Sequence, residues 1–272
     1  MTTRRLASNL DDGLAAQLGA AGLDWIVPAW QAPRTVQAFF TTRDDPKSAR
    51  SALRATDPGE GEGRTDATRR SIDDLADRAK PFLPSPALWL DQVHGTAVLD
   101  ADATALSPCE LSRADAAVTR SADRVLAVRV ADCLPVLLSD RDASVVAIAH
   151  AGWRGLAAGV VENTVDAMGC DPARVVAWLG PAIGSAAFEV GDDVRAAFVG
   201  RDAAAISAFT TGQPGKWHAD LLSLARQRLA RAGVTDVTAD GRCTASDSRR
   251  FHSFRRDRTK QRMAAFIWRR AG

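Results

Sequence analysis

Three residues of this chain have the types and positions that nucleophilic or metal chemistry requires. The chain holds four histidines and four cysteines, and His94, Cys133 and His150 each stand where a strand-like run ends. Two imidazoles and a thiolate suit zinc, and three protein ligands leave a fourth position for water, as in catalytic rather than structural sites. Water held there is acidified towards neutrality and becomes a nucleophile.

Two other interpretations of these residues remain open at this point. Cys133 and His150 can form a nucleophile–base pair that needs no metal. A buried thiol with two hydrogen-bonded structural histidines would carry no chemistry at all, and residue types alone do not exclude it. The separations in sequence are not those of a zinc finger.

The stretch from residue 131 to residue 159 must position two of the three side chains. Runs of β-formers at residues 125–130 and 144–149 predict strands that lead to Cys133 and His150. Gly152 and Gly155 predict a turn, and an apolar face over residues 157–168 predicts a helix after it. Arg154 at that helix start would offer a permanently charged fork beside the positive end of the helix dipole, which favours an anion.

The remaining pattern alternates strands with helices and shows no repeat and no internal domain boundary. Residues 44–68 are polar and predict a long loop of the kind that often covers a site. Residues 115–119 and 124–130 are expected to pair with each other, and Gly233 is a good helix C-cap. The other predicted strands are residues 34–42, 86–90, 175–184, 234–239 and 263–268, and the other predicted helices are a short one in the first 22 residues, 71–80, one opening at 188–193, and 218–232.

Composition predicts a globular α/β protein and limits its partners. The chain has 272 residues, 46% of them hydrophobic, and a net charge of +2, which does not argue for nucleic acid. No apolar run approaches about 20 residues, so a membrane partner is not expected. Asp11 and Asp12 interrupt any secretory apolar segment. Because Cys109, Cys133, Cys170 and Cys243 have no paired spacing, we expect reduced thiols and a cytoplasmic protein.

Five motifs in one order resemble the YfiH-like family, also called laccase-domain or polyphenol oxidoreductase proteins. They are QVHG at 92–95, ADCLPVLL at 131–138, HAGWRG at 150–155, GPAIG with FEVGDDV at 180–194, and CT with FHSFRRD at 243–257. The resemblance implies a single-domain α/β layered sandwich (α-β-β-α) with mixed sheets. It covers a catalytic domain of residues 34–272, with residues 1–33 as an N-terminal extension. It also implies that His94, Cys133 and His150 bind a catalytic zinc.

The resemblance implies a multifunctional purine nucleoside enzyme. The expected reactions are phosphorolysis of adenosine, inosine and S-methyl-5′-thioadenosine, and hydrolytic deamination of adenosine to inosine. Nucleoside and phosphate are then the partners, and Arg154 with Arg43 could hold the phosphate. A peptidoglycan-precursor editing amide hydrolase at the same site is the alternative. Neither monomer nor dimer is favoured.

Two further expectations concern the metal and the substrate. Four histidines are too few for a four-copper oxidase, whereas a single Cu²⁺ in the zinc pocket is possible, since copper outcompetes zinc for nitrogen and sulfur ligands. Asp44-Asp45-Pro46 after Arg43, and Thr259-Lys260-Gln261-Arg262 near the end, depart from the family pattern. These departures are expected to affect substrate preference and not the metal ligands.

Overall fold

A computed structural model of the chain describes residues 12–43, 64–103 and 111–271. Most of the predicted loop at 44–68, and Cys109, lie outside these residues. The strands are β1 Val36–Phe40, β2 Leu90–Asp91, β3 Val98–Asp100, β4 Ser112–Arg113, β5 Ala116–Thr119, β6 Leu126–Val130, β7 Leu134–Asp140, β8 Val146–Ala151, β9 Val175–Leu179, β10 Glu189–Gly191, β11 Phe209–Thr211, β12 Lys216–Ala219, β13 Asp236–Ala239 and β14 Met263–Arg269. The α-helices are α1 Asp12–Ala20, α2 Arg64–Ala79, α3 Trp153–Ala158, α4 Val160–Met168, α5 Asp192–Val199, α6 Leu221–Arg231 and α7 Phe254–Asp257.

Two sheets dominate the part of the chain that the structure describes. The larger is six-stranded and mixed, in the order β13-β9-β7-β8-β5-β3, with β13–β9 and β3–β5 parallel and the other pairs antiparallel. The second is three-stranded and antiparallel, in the order β1-β14-β6. Smaller sheets join β10-β12-β11 and β2-β4. The α/β class with mixed sheets is therefore confirmed.

Alternation along the strands places the two sheets face to face. On β8, Ala147 and Ala149 pack with helices α3 to α6, whereas Val146 and Ile148 face the three-stranded sheet. On β1, Phe40 faces that shared interior, whereas Phe39 points outward. Because successive side chains of a strand point to opposite faces, each sheet buries both of its faces.

The outer face of the three-stranded sheet is covered by α1 and α2. Phe39 stacks on Phe266 with ring centroids 4.7 Å apart. Leu14 and Leu18 of α1 pack in the same cluster as these rings. The layers thus run helix, sheet, sheet, helix. Helix α1, which precedes residue 33, packs on the same core as the strands that follow. The division of the chain at residue 33 stays a prediction.

The predicted pairing of residues 115–119 with 124–130 is wrong. β5 pairs with β3 and β8, whereas β6 pairs with β14 in the other sheet. Both strands are buried on both faces and meet across the interior, where Ala117 and Val128 belong to one cluster. The connection carries Asp123 at φ 58 and passes from one sheet to the other.

Several predicted boundaries also move. Helix α2 begins at Arg64 rather than Ser71, since no glycine or proline interrupts residues 64–70. Helix α6 begins at Leu221 rather than His218, because Asp220 accepts a hydrogen bond from the Ser223 N–H (3.0 Å) and the preceding residues form β12. Strand β9 ends at Leu179, and α5 follows the short β10.

Two further features of the described residues bear on the expectations. Helix α6 ends before Gly233, whose φ of 87° confirms the predicted cap. Cys133, Cys170 and Cys243 are free thiols. Among the described residues, no helix is long and apolar enough to cross a membrane.

Candidate metal centre

The fold brings the three predicted residues together from separate elements. His94 lies in the turn after β2, Cys133 between β6 and β7, and His150 near the end of β8. Their ligand atoms all lie within 4.8 Å of one another, and the Cys133 Sγ is 3.8 Å from the His94 Nε2. The two imidazole rings are nearly perpendicular, at 77°. His150 is buried and His94 is exposed, so the cluster opens to solvent on the His94 side.

A buried carboxylate that the sequence did not single out holds two of these residues. Asp115 precedes β5 and is fully buried. Its carboxylate accepts hydrogen bonds from the backbone N–H groups of Val93 (3.1 Å), His94 (2.9 Å) and Gly95 (2.6 Å). It also pairs with the His150 Nδ1 at 2.8 Å. Because Nδ1 is engaged there, Nε2 is the ring nitrogen that His150 has left for a ligand.

The Asp115 carboxylate also supports an unusual backbone at His94. This residue has φ 62, in the left-handed region that side chains other than glycine rarely adopt. Three consecutive N–H groups converge on one carboxylate only because the chain turns there. This turn leaves the His94 imidazole beside Cys133 and His150.

The charges of the cluster favour a thiolate. Burial would raise the pKa of the Cys133 thiol, but the charge of His150 and hydrogen bonds from both histidines lower it to about 6. Against the effect of burial, Cys133 and Asp115 raise the pKa of His150 to about 9. Burial would likewise raise the pKa of Asp115, but hydrogen bonds from His150 and Gly95 lower it. Cys133 is thus prepared as the anion that binds metal ions.

Space for the cluster depends on two glycines. A Cβ atom on Gly152 would lie 2.7 Å from the His94 Cδ2 and 3.1 Å from the Cys133 Sγ. A Cβ atom on Gly155 would lie 2.8 Å from the Gly95 carbonyl oxygen. The predicted turn at these glycines is instead the start of α3. Their absent side chains let that helix approach the ligands.

Asp132 fixes the backbone next to Cys133. It has φ 85, and its buried carboxylate accepts hydrogen bonds from the Thr244 hydroxyl (2.7 Å), the Ser253 hydroxyl (2.9 Å) and the Arg255 N–H (2.6 Å). The C-terminal segments are thereby tied to the loop that carries Cys133. A lone aspartate before a cysteine does not reveal these long-range partners in the sequence.

The two arginines expected to hold phosphate lie in different surroundings. Arg154 is exposed at the start of α3, and its guanidinium stacks on the Trp153 ring, 4.4 Å from the centroid. Arg43 is half-buried, and its guanidinium donates to the Ser248 carbonyl at 3.1 Å. Among the described residues, neither forms an ion pair with a carboxylate, although the charge of Arg43 helps to lower the pKa of Asp257.

The geometry and donor chemistry fit a single metal ion. In a tetrahedral zinc site with usual bond lengths, a sulfur and a nitrogen ligand are about 3.6 Å apart. The 3.8 Å between the Cys133 Sγ and the His94 Nε2 is close to this separation. Within the described residues, the set offers three ligands and leaves a fourth position open, as at catalytic zinc sites.

Known proteins match this chain over most of its length. The family model described as "Multi-copper polyphenol oxidoreductase laccase" matches residues 37–270. A purine nucleoside phosphorylase from Pseudomonas aeruginosa is 43% identical over 245 residues, which cover 90% of this chain and 98% of that protein. Purine nucleoside phosphorylase YfiH from Escherichia coli K12 is 44% identical over 247 residues, covering 89% and 98%.

Solved structures share the fold. A protein from Neisseria meningitidis superposes with a TM-score of 0.77 at 37% identity, covering 91% of this chain and 100% of that one. The hypothetical protein YfiH from Bacillus licheniformis superposes with a TM-score of 0.71 at 28% identity, covering 86% and 93%. The residues matched by the family model, 37–270, include the segments that carry His94, Cys133 and His150.

Proposed function

The chain belongs to the multi-copper polyphenol oxidoreductase laccase family, the family of the YfiH-like proteins, and on that premise we propose that it is a zinc-dependent purine nucleoside phosphorylase. The observation that carries the proposal is the convergence of His94, Cys133 and His150, with Asp115 behind His150. The names of the relatives support the substrate class.

The proposed reactions are those that the family resemblance implies. In phosphorolysis of adenosine, inosine or S-methyl-5′-thioadenosine, a phosphate oxygen bonds to C1′ of the sugar while the bond from C1′ to the base breaks. The base leaves with a proton. In deamination of adenosine, water adds at C6 of the purine and ammonia leaves, which yields inosine.

The residues of the cluster would act by binding a metal ion and by orienting their donor atoms towards it. Cys133 contributes a negative charge, and His150 presents Nε2 because Asp115 engages its Nδ1. His94 completes the set on the exposed side, where a nucleoside can enter. A zinc ion held by these three would supply a Lewis acid and an acidified water. A single Cu²⁺ is the proposed competitor for the same ligands.

Arg43 and Arg154 are the proposed contacts of the phosphate. Both carry permanent charge, and neither forms an ion pair with a carboxylate of the described residues. Arginine is suited to this role because its planar fork matches two phosphate oxygens. The stacking of Arg154 on Trp153 limits its motion without using its hydrogen-bond donors.

A second candidate is an amide hydrolase that edits peptidoglycan precursors. The low pKa of Cys133 beside His150 favours it, because a thiolate next to an imidazole is also the arrangement of a cysteine hydrolase. In that case the Cys133 thiolate would bond to the amide carbonyl carbon, the C–N bond would break as the amine leaves with a proton, and water would hydrolyse the thioester, so that no metal is needed.

One panel separates the candidates. Metal content is measured by elemental analysis in the purified protein, Cys133→Ala and His150→Ala, with Cys170→Ala as a control thiol outside the cluster. Activity is measured on nucleosides with and without phosphate, and on muropeptide precursors. We expect about one zinc per chain and phosphate-dependent base release in the wild type and Cys170→Ala, with both lost in the other variants. Cleavage of muropeptides alone, with equal metal in all four proteins, would refute the proposal.

A further inference from the structure

The turn that carries His94 is fastened to β6 by the side chain of Gln92. The Gln92 carboxamide donates from its nitrogen to the Arg129 carbonyl oxygen (2.8 Å) and accepts from the Arg129 N–H with its oxygen (2.9 Å). Only one orientation of the carboxamide allows both bonds, because one end donates and the other accepts. Gln92 therefore offers this strand the same donor and acceptor as a peptide group.

These two bonds continue a line of backbone contacts along the edge of β6 that faces away from β14. The N–H and the carbonyl of Leu88 bond to the backbone of residues 125–127 at 2.8 and 3.1 Å. A parallel strand would continue this pattern with its own backbone groups two residues later. Leu90 instead pairs with β4. The N–H and carbonyl of Arg129 on this edge are then satisfied by the Gln92 side chain.

The next three residues of the same turn are held by the other sheet. The Asp115 carboxylate, just before β5, accepts from the N–H groups of residues 93–95 and pairs with the His150 Nδ1. Strand β5 belongs to the six-stranded sheet, whereas β6 belongs to the three-stranded one. The turn that carries His94 is therefore anchored on both sheets, through Asp115 on one and through Gln92 on the other.

The two anchors set different distances within the cluster. Asp115 joins the turn to His150. Gln92 joins it to the strand that leads, four residues after Arg129, to Cys133. The two segments that carry the Cys133 Sγ and the His94 Nε2, which lie 3.8 Å apart, are thus tied together at Gln92. Because His94 is exposed, packing of other side chains holds it less than it holds the buried His150.

We propose that Gln92 is a positioning residue of the metal centre, which fixes the His94 imidazole relative to Cys133 for metal binding. This rests on the proposed function and deepens it, and it gives Gln92 no contact with metal or substrate. Without its two bonds the turn would lose its anchor on β6, and a metal ion would have to order it on binding. The contribution of two neutral hydrogen bonds corresponds to about a 5- to 150-fold loss of zinc affinity.

The test measures the zinc affinity of metal-stripped protein by competition with a chromophoric chelator. Gln92→Met keeps the length of the side chain but removes both bonds, and Gln92→Glu keeps the acceptor but removes the donor. Gln227→Met is the matched control, because the Gln227 carboxamide on α6 bonds to the Ser207 hydroxyl (3.1 Å), outside the cluster. We expect weaker zinc binding in both Gln92 variants and wild-type affinity in the control.

A positioning role predicts two further results that a general loss of stability does not. In a His94→Ala background, adding Gln92→Met should change zinc affinity by less than about twofold, since the ligand that Gln92 positions is gone. In metal-free Gln92→Met, amide hydrogen exchange should become faster in residues 92–95 and stay at the wild-type rate in α6.

Wild-type zinc affinity in Gln92→Met, or an equal loss with and without His94, would overturn the proposal and leave the proposed function intact. Faster exchange throughout the chain, or failure of both Gln92 variants to fold, would also overturn it, since Gln92 would then support the fold as a whole. If His94→Ala binds zinc too weakly to measure, the exchange result decides. Zinc affinity that depends on Gln92, in a wild type without phosphorolysis, supports the positioning role and refutes the proposed function.

Discussion

Replacing Asp115 with asparagine should weaken zinc binding although Asp115 touches no metal ligand atom itself. The wild-type carboxylate accepts four hydrogen bonds, three from the 93–95 turn and one from the His150 Nδ1. An asparagine has one oxygen and one NH₂ group at the same positions. In either orientation the NH₂ faces at least one N–H donor, so at least one contact becomes repulsive.

The size of the expected loss in zinc affinity follows from the tautomer of His150. If the asparagine NH₂ faces Nδ1, that nitrogen must become the acceptor, and the proton moves to Nε2, where it blocks metal binding. If the oxygen faces Nδ1, the tautomer is kept but the 93–95 turn that aims His94 is disturbed. Loss of such a partner behind a ligand histidine typically costs about 10- to 100-fold in metal affinity. This corresponds to about 1.4–2.7 kcal/mol.

The assay is competition for zinc against a chromophoric chelator. Asp142→Asn is the matched control, because that exposed carboxylate pairs only at the surface, with Arg174. We expect the control to bind zinc as the wild type does, and the metal-free Asp115→Asn protein to keep its fold in thermal unfolding. Zinc affinity within about twofold of wild type in Asp115→Asn would refute the reasoning. So would collapse of its metal-free fold, which would make Asp115 a general structural residue.

Three further results are expected. Gly152→Ala should lower zinc affinity in the same competition assay, because the new methyl group would lie 2.7 Å from the His94 ring. The control Gly19→Ala should not, because Gly19 has open space around it. Equal affinities would mean that the site expands freely. In metal-free protein, alkylation of Cys133 should rise with pH through a midpoint of about 6 and stay level above it, since its folded pKa is lowered, and zinc should suppress it; a midpoint near 9 would contradict the thiolate. Arg154→Met should raise the phosphate KM of phosphorolysis about 10- to 150-fold and spare adenosine deamination; parallel loss of both activities would show that Arg154 shapes the whole site.

The clustering of His94, Cys133 and His150 could be expected from the sequence because each stands at the end of a strand or in the turn after it. The end of a strand fixes the position of a side chain relative to the sheet. The order of the motifs indicated the family. Asp115 could not be predicted in the same way. Its partners at 93–95 and 150 are remote in sequence, and one aspartate before a strand has no distinctive spacing. The same holds for Asp132, whose partners are remote in sequence.

The layering of the sheets was only partly encoded in local patterns. Residues 115–119 and 124–130 are separated by a short turn, which is typical of a hairpin, yet both strands are buried on both faces and need different neighbours. β7 is likewise buried throughout and contains Pro135, so it shows no alternation that predicts a strand. Burial on two faces removes the polar positions from which pairing is usually inferred.

The most direct test of the metal-centred function is a zinc titration of the stripped protein with phosphate-dependent release of adenine from adenosine as the readout. We expect activity to rise with bound zinc, to break at about one equivalent per chain, and to stay absent in Cys133→Ala at every zinc concentration. Full phosphorolysis by the stripped protein, or equal recovery in Cys133→Ala, would contradict the assignment of His94, Cys133 and His150 as the catalytic metal site.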